Sequence, residues 1–272
     1  MTRITEQSSR HDHLETKSVE ELVTLINNED ATVAGAIQKA LPQVTRLIEA
    51  IVEKLRSGGR MFYLGAGSGG RLSVLDALEL PTTYGIPKGI VNVILAGGVE
   101  NLADAPEEKE DDVQEVLDRM NAAQVSDKDI VIGISASGST PFVLAGLKEC
   151  GKRGAATGCI VSNPGSAIAA AAELPVEVIT GPEFITGSTR MKCGTAQKML
   201  FDMISTTVMI QLGRVEGNSM VNVKLINDKI TDRAVKMLMQ KAGISDYAQA
   251  KTILLEHGSV KNAMNALAQR HH

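Results

Sequence analysis

Residues 133–142 read GISASGSTPF and place Ser135, Ser137, Ser139 and Thr140 after an apolar run and ahead of a helical pattern. A phosphate dianion at a helix N-terminus takes several neutral donors at short range, and hydroxyls with free backbone N–H groups supply them. An ordinary capping serine explains one such hydroxyl, not four in six residues. A second stretch, YLGAGSGGRLSVLDALELP at 63–81, carries Gly65, Gly67 and Gly70 as a literal G-x-G-x-x-G. A dinucleotide site would also need an acid at the end of the second strand, about 20 residues on. That strand ends ILAGG, with Gly97 and Gly98 where the acid should be. Two phosphate-friendly loops therefore point to a phosphate ester and away from a nicotinamide cofactor.

The five histidines are His11, His13, His257, His271 and His272, with none from residue 14 to 256. Serine–histidine triads and histidine-ligated metals would need a terminus folded back into the site. An enzyme of this composition moves protons with carboxylates or lysines. The formal net charge of −4 gives no electrostatic case for nucleic acid. The polar start, MTRITEQSSRHDHLE, lacks the apolar region of a signal peptide, and no uncharged apolar run approaches a membrane span of roughly 18 residues. Cys150, Cys159 and Cys193 are too widely spaced for a zinc motif and read as small buried hydrophobes in a reducing, cytoplasmic setting.

These loops need a scaffold. The chain has 272 residues, 43% of them hydrophobic but only 3% aromatic, which favours parallel strands buried between helices over an aromatic-rich sandwich. Residues 17–57 carry helical periodicity with a break around Asn27–Asp30, and Ser18 with Glu21 forms a capping box. From Gly59 the pattern becomes strand, turn, helix, repeated, with strands expected at 60–66, 89–98, 129–137, 155–163 and 175–180. A long helix is expected over 191–212, and short helices from Asp228 onward. The expected class is α/β, a parallel sheet sandwiched between helices with helical extensions at both ends. The division by sequence is 1–52 helical, 53–216 phosphosugar-binding domain and 217–272 short helical region.

The pattern Ser135-Ala-Ser137-Gly-Ser139-Thr140 resembles the phosphosugar loop of the sugar isomerase (SIS) domain. Longer strings, YLGAGSGGRLSVLDALELPTTYG, NPGSAIA, GPEFITGSTRMKCGTAQKMLFDMISTTVMIQLGRVEGNSMVNV and INDKITDRAV, together resemble the N-acetylmuramic acid 6-phosphate etherases, from roughly Ser18 to the C-terminus. The resemblance implies cleavage of the C3 lactyl ether of N-acetylmuramic acid 6-phosphate to D-lactate and N-acetylglucosamine 6-phosphate during cell-wall recycling. It implies a cytoplasmic homodimer with no metal or organic cofactor, and no nucleic-acid or membrane partner.

Carried over residue by residue, Glu79 matches the family's catalytic acid in the motif after the opening loop. The second carboxylate falls in NLADAPEEKEDDVQEV (101–116), where counting from Ala96-Gly-Gly98 gives Glu110, with Glu107 as the substitute. Substrate binding falls to Ser68, Gly69, Ser137, Gly138, Ser139 and Thr140, and to Ser188, Thr189 and Lys192, where the chain enters the long helix. Lys192 is expected to pair with phosphate or with the lactate carboxylate.

Three departures stand out. Ser68 and Gly69 replace the family's threonine and serine, Ser139 stands where arginine is common, and the family's E-C-P-P-T is Glu79-Leu-Pro81-Thr-Thr83 here. A regular helix from Gly70 would carry Glu79 roughly 13 Å away. Either that helix breaks early or Glu79 serves a neighbouring subunit's substrate. A non-catalytic sugar-phosphate sensor and an aldose–ketose isomerase remain as alternatives; neither needs an acid at C3.

Overall fold

The computed structural model describes residues 3–103 and 106–269. Two compact units share the chain. One comprises the residues up to Asp76 with Gly89–Ile204, the other Ala77–Lys88 with the residues from Ser205 onward.

The first unit is built on a five-stranded, all-parallel sheet. Its strands are β1 (Met61–Gly65), β2 (Val91–Leu95), β3 (Ile130–Ser135), β4 (Ala156–Val161) and β5 (Leu174–Glu177), in the order β2-β1-β3-β4-β5. Each lies within or beside its expected span. β1 and β3 are buried along their whole length, as strands covered by helices on both faces must be. The helices are α1 (Val19–Asp30), α2 (Val33–Arg56), α4 (Val113–Ala122), α5 (Pro141–Lys152) and α6 (Ala167–Ala171), with α3 (Gly67–Tyr84) and α7 (Lys192–Gln211), whose last residues belong to the second unit. The Ser18–Glu21 capping box opens α1, with Ser18 Oγ accepting from Glu21 N–H at 3.2 Å.

Period-two alternation splits β1 between two cores. Phe62 and Leu64 join Val131, Phe142, Val143, Leu147, Cys159 and Val161 on one face. Tyr63 points the other way, its ring 5.0 Å from Phe201 of α7, and its hydroxyl donates to Asp76 Oδ2 at 3.1 Å. Close contact of α5 with β1 depends on Gly146, where a Cβ would stand 2.5 Å from Leu64 Cδ2. The three cysteines are fully buried, and burial pushes each thiol up to about 12.

In the second unit, α8 (Asp228–Ala242), α9 (Tyr247–His257) and α10 (Val260–Gln269) pack around Val235, Leu238, Leu254 and Val260. Asn227 and Asp246 cap α8 and α9 at their starts, and Gly243 and Gly258 end them in the left-handed conformation. Among the described residues no helix is long and apolar enough to cross a membrane.

Candidate active site

The strand order reverses between β1 and β3, so the loops leaving their carboxyl ends diverge and open a crevice. A cleft of about 180 Å³ lies there, lined by Ala66–Gly69 after β1 and by Ile134–Ser137 and Thr140 after β3. Both loops run directly into helices, α3 and α5, whose N-termini bring positive dipole ends to the cleft. The turn into α3 is tight: a Cβ on Gly65 would stand 2.8 Å from Gly70 Cα, and Gly67 has φ +53°.

The hydroxyls of the β3 loop form one connected chain. Ser135 Oγ lies 2.8 Å from Thr140 Oγ1 and 3.3 Å from Ser137 Oγ, which is 3.1 Å from Ser139 Oγ. Ser135 Oγ also accepts from Gly138 N–H at 3.1 Å. Gly138 has φ +70°, and a Cβ there would fall 2.3 Å from Ser166, so glycine is required for the turn. Pro141 begins α5 and brings no N–H, and Thr140 makes no side-chain cap. The loop thus offers polar hydrogens and oxygens without a carboxylate among them.

Glu110 enters from the short 3₁₀ helix Glu107–Asp111. Its carboxylate lies against the glycine turn, 2.5 Å from where a Cβ on Gly67 would stand. Burial holds its pKa above the ordinary carboxylate value, and the neighbouring charges of Glu107 and Asp111 add to this. The Arg71 guanidinium opposes them. Arg71 also approaches Glu107 at 3.6 Å. A half-buried carboxylate of raised basicity beside a phosphate-type loop can remove a proton from a bound sugar.

Of the residues singled out by sequence, Ser68, Gly69, Glu110, Ser137, Thr140 and Thr189 line this one cleft. Gly138 and Ser139 turn toward a neighbouring cavity with Arg3, Asn163 and Ser166. Ser188 and Lys192 do not line the cleft. Lys192 is 1% exposed, with its Nζ 2.5 Å from Glu29 Oε2 of α1. The first N–H groups of α7 are also taken, since Glu183 accepts from Lys192 N at 2.8 Å and Cys193 N at 2.9 Å. Glu79 is exposed on α3, which does not break before it but continues through Pro81 to Tyr84. Glu107 is exposed and does not line the cleft.

Two lining residues with polar side chains escaped the sequence reading. Glu6 arrives from the N-terminal segment, which is fastened by Thr5 to Asn163; the Asn163 amide donates in turn to Thr5 Oγ1 and to the carbonyls of Ala136 and Ser137. Gln197 arrives from α7. Neither belongs to a local motif, and only the tertiary fold carries them to the loops.

The chain resembles known proteins at both levels. The profile of the glucokinase regulatory protein N-terminal SIS domain matches residues 43–151, and that of the SIS domain matches residues 111–207. A phosphoheptose isomerase from Francisella tularensis shares the fold, with a TM-score of 0.54 at 17% identity over 74% of this chain and 100% of that one. The N-acetylmuramic acid 6-phosphate etherase of Bacteroides thetaiotaomicron is 49% identical over 97% of this chain and 95% of its own length. The protein of the same name from Porphyromonas gingivalis is 49% identical over 98% and 97%. Identity at that level runs along nearly the whole of both chains, and the chain belongs to the N-acetylmuramic acid 6-phosphate etherase family.

Proposed function

We propose that this protein is a carbon–oxygen lyase that cleaves the C3 lactyl ether of N-acetylmuramic acid 6-phosphate. The products are D-lactate and N-acetylglucosamine 6-phosphate, and the setting is cytoplasmic catabolism and recycling of cell-wall amino sugars. The observation that carries this reading is the position of Glu110, a desolvated carboxylate set against the glycine turn in the same cleft as the serine loop.

The 6-phosphate sits at the N-termini of α3 and α5 and takes hydrogen bonds from Ser68, Ser137 and Thr140, with Gly69 leaving room for its approach. Thr189 forms part of the opposite wall. Gly138, Ser139, Ser188 and Lys192 shape the loops from outside the lining. In the open-chain sugar the C2 proton is acidic because it lies α to the C1 aldehyde. Glu110 removes it. The C2–C3 double bond forms as the C3–O bond breaks, and Glu79 gives a proton to the departing lactate oxygen. Water then adds at C3 of the unsaturated aldehyde, losing a proton to Glu79, and C2 regains its proton from Glu110.

Glu79 reaches its substrate from a second copy of the chain, so the working unit is a homodimer. Support comes from the helix itself. α3 is continuous past Glu79, and Leu75 and Leu78 beside it are 46% and 68% exposed, an apolar pair suited to a covering partner. A sensor would gain nothing from a carboxylate of raised pKa in its ligand cleft. The direct test is incubation with N-acetylmuramic acid 6-phosphate and assay of free lactate; sugar binding without lactate release would rule the lyase reading out.

A further inference from the structure

Gln197 lines the cleft from α7 and is 3% exposed. Among the described residues its carboxamide makes no hydrogen bond to any other group. Glu115 Oε2 alone among the described residues is a buried side-chain polar atom without a partner, so the unpaired Gln197 amide has its polar atoms open to the cleft, where a ligand can reach them. The amide lies directly over the glycine-rich turn. A Cβ on Gly69 would stand 2.8 Å from Gln197 Oε1, 3.0 Å from its Nε2 and 2.8 Å from Ile134 Cγ2. Gly69 lies in α3, and its φ is outside the left-handed region, so backbone conformation does not demand glycine there. Space for the amide and for the Ile134 methyl does.

We propose that Gln197 is a substrate-contacting residue, its carboxamide left unpaired in the free protein because a sugar phosphate completes its hydrogen bonds, and that Gly69 is glycine to leave the amide that position. The inference rests on the reading of the cleft as the phosphosugar site. A sugar phosphate suits both ends of the amide: anionic oxygens accept from Nε2, and sugar hydroxyls donate to Oε1. As a neutral group, Gln197 adds a donor without the strong attraction a lysine would have for Glu110, and so leaves that carboxylate's raised basicity intact.

The test uses the full chain with Gln197→Met, which keeps the length of the side chain and removes its polar atoms. Thermal stability should stay level, since the amide makes no bond to the rest of the fold. The KM for N-acetylmuramic acid 6-phosphate and the Kd for N-acetylglucosamine 6-phosphate, read by calorimetry, should rise roughly 10- to 100-fold. Gly69→Ala, by pressing on the amide, should weaken binding in the same direction. Gly69→Ala added to Gln197→Ala should weaken binding by less than the sum of the two single changes, the signature of coupled neighbours. A Gln197→Met protein less stable than wild type overturns the inference, because the amide would then be serving the fold. So does one that binds N-acetylglucosamine 6-phosphate as wild type does. A wild-type protein that neither binds this sugar nor releases lactate instead overturns the reading of the cleft itself.

Discussion

The loop at 135–140 and the entry to α7 at 188–192 each place hydroxyl residues ahead of a helix, and both read as places for an anion. The fold treats them differently. Along 135–140 the hydroxyls bond one another and the Gly138 and Ser139 amides, with no acidic side chain among them. At α7 the anion is already supplied by the protein: Glu183 takes the Lys192 and Cys193 N–H groups, and Glu29 takes the Lys192 ammonium and His11 Nε2. A helix N-terminus attracts an anion, and the sequence determines whether that anion is a ligand or a neighbouring glutamate. In the proposed reading the first cluster serves binding, while Lys192 at the second is held by the fold.

The sharpest way to break this contrast is Lys192→Met. If the α7 entry is structural, removing one partner leaves Glu29 charged and largely buried, and urea unfolding should show a loss of about 3–5 kcal/mol. The pH dependence has a definite sign. Burial would raise the Glu29 carboxyl, but hydrogen bonds from Lys192 and His11 outweigh it and hold it below its ordinary value of 4.5. The pair therefore stabilises the fold above that value and ceases to do so as pH falls through the lowered one. Lys192→Met should flatten that acid limb. A variant of wild-type stability with a raised KM would place Lys192 with the substrate.

At the other cluster the expected effect is on binding. Ser137→Ala should leave stability nearly unchanged and raise KM, since one charge-assisted hydrogen bond is worth about 1.5–3 kcal/mol. Unphosphorylated N-acetylmuramic acid should be a very poor substrate; turnover comparable to that of the 6-phosphate would refute phosphate binding at this loop.

The smallest effect on stability belongs to Glu110. Its carboxyl is raised in the folded protein above the ordinary 4.5. Protonation therefore favours the fold at low pH, and the ionised form weighs against it once pH has passed the raised value. Glu110→Gln should lift the thermal midpoint slightly at pH 7, and the gain should vanish below pH 4.5. A lower midpoint at pH 7 would mean that the carboxylate supports the fold.

The sheet was legible because its strands are short, nearly continuous apolar runs ending in small or hydroxyl residues, and the Ser18–Glu21 box is a purely local signal. The end of α3 was not. Pro81 suggests a stop, since a proline loses its N–H bond and crowds the carbonyl four residues back, yet the helix passes through to Tyr84. At the cleft, Ser68, Ser137 and Thr140 sit in glycine- and serine-rich turns whose composition announces them, whereas Glu110 is reached by counting against the family pattern. Nothing of the kind marks Glu6 and Gln197, since a glutamate near the chain start and a glutamine within a long helix acquire meaning only when Asn163 and Gly69 come beside them. The partners of Lys192 were hidden for the same reason, Glu29 lying far back along the chain on α1.

The central claim is that Glu110 removes the C2 proton in the cleft where the phosphosugar binds. It is tested most directly by proton NMR of N-acetylmuramic acid 6-phosphate in deuterated water with Glu110→Gln and Glu79→Gln proteins. Glu79→Gln keeps the base but cannot protonate the leaving lactate, so it should wash deuterium into C2 while releasing little lactate. Glu110→Gln should do neither, each rate falling by about 10²-fold or more. Undiminished exchange at C2 in the Glu110→Gln protein would contradict the account and move the base to another carboxylate.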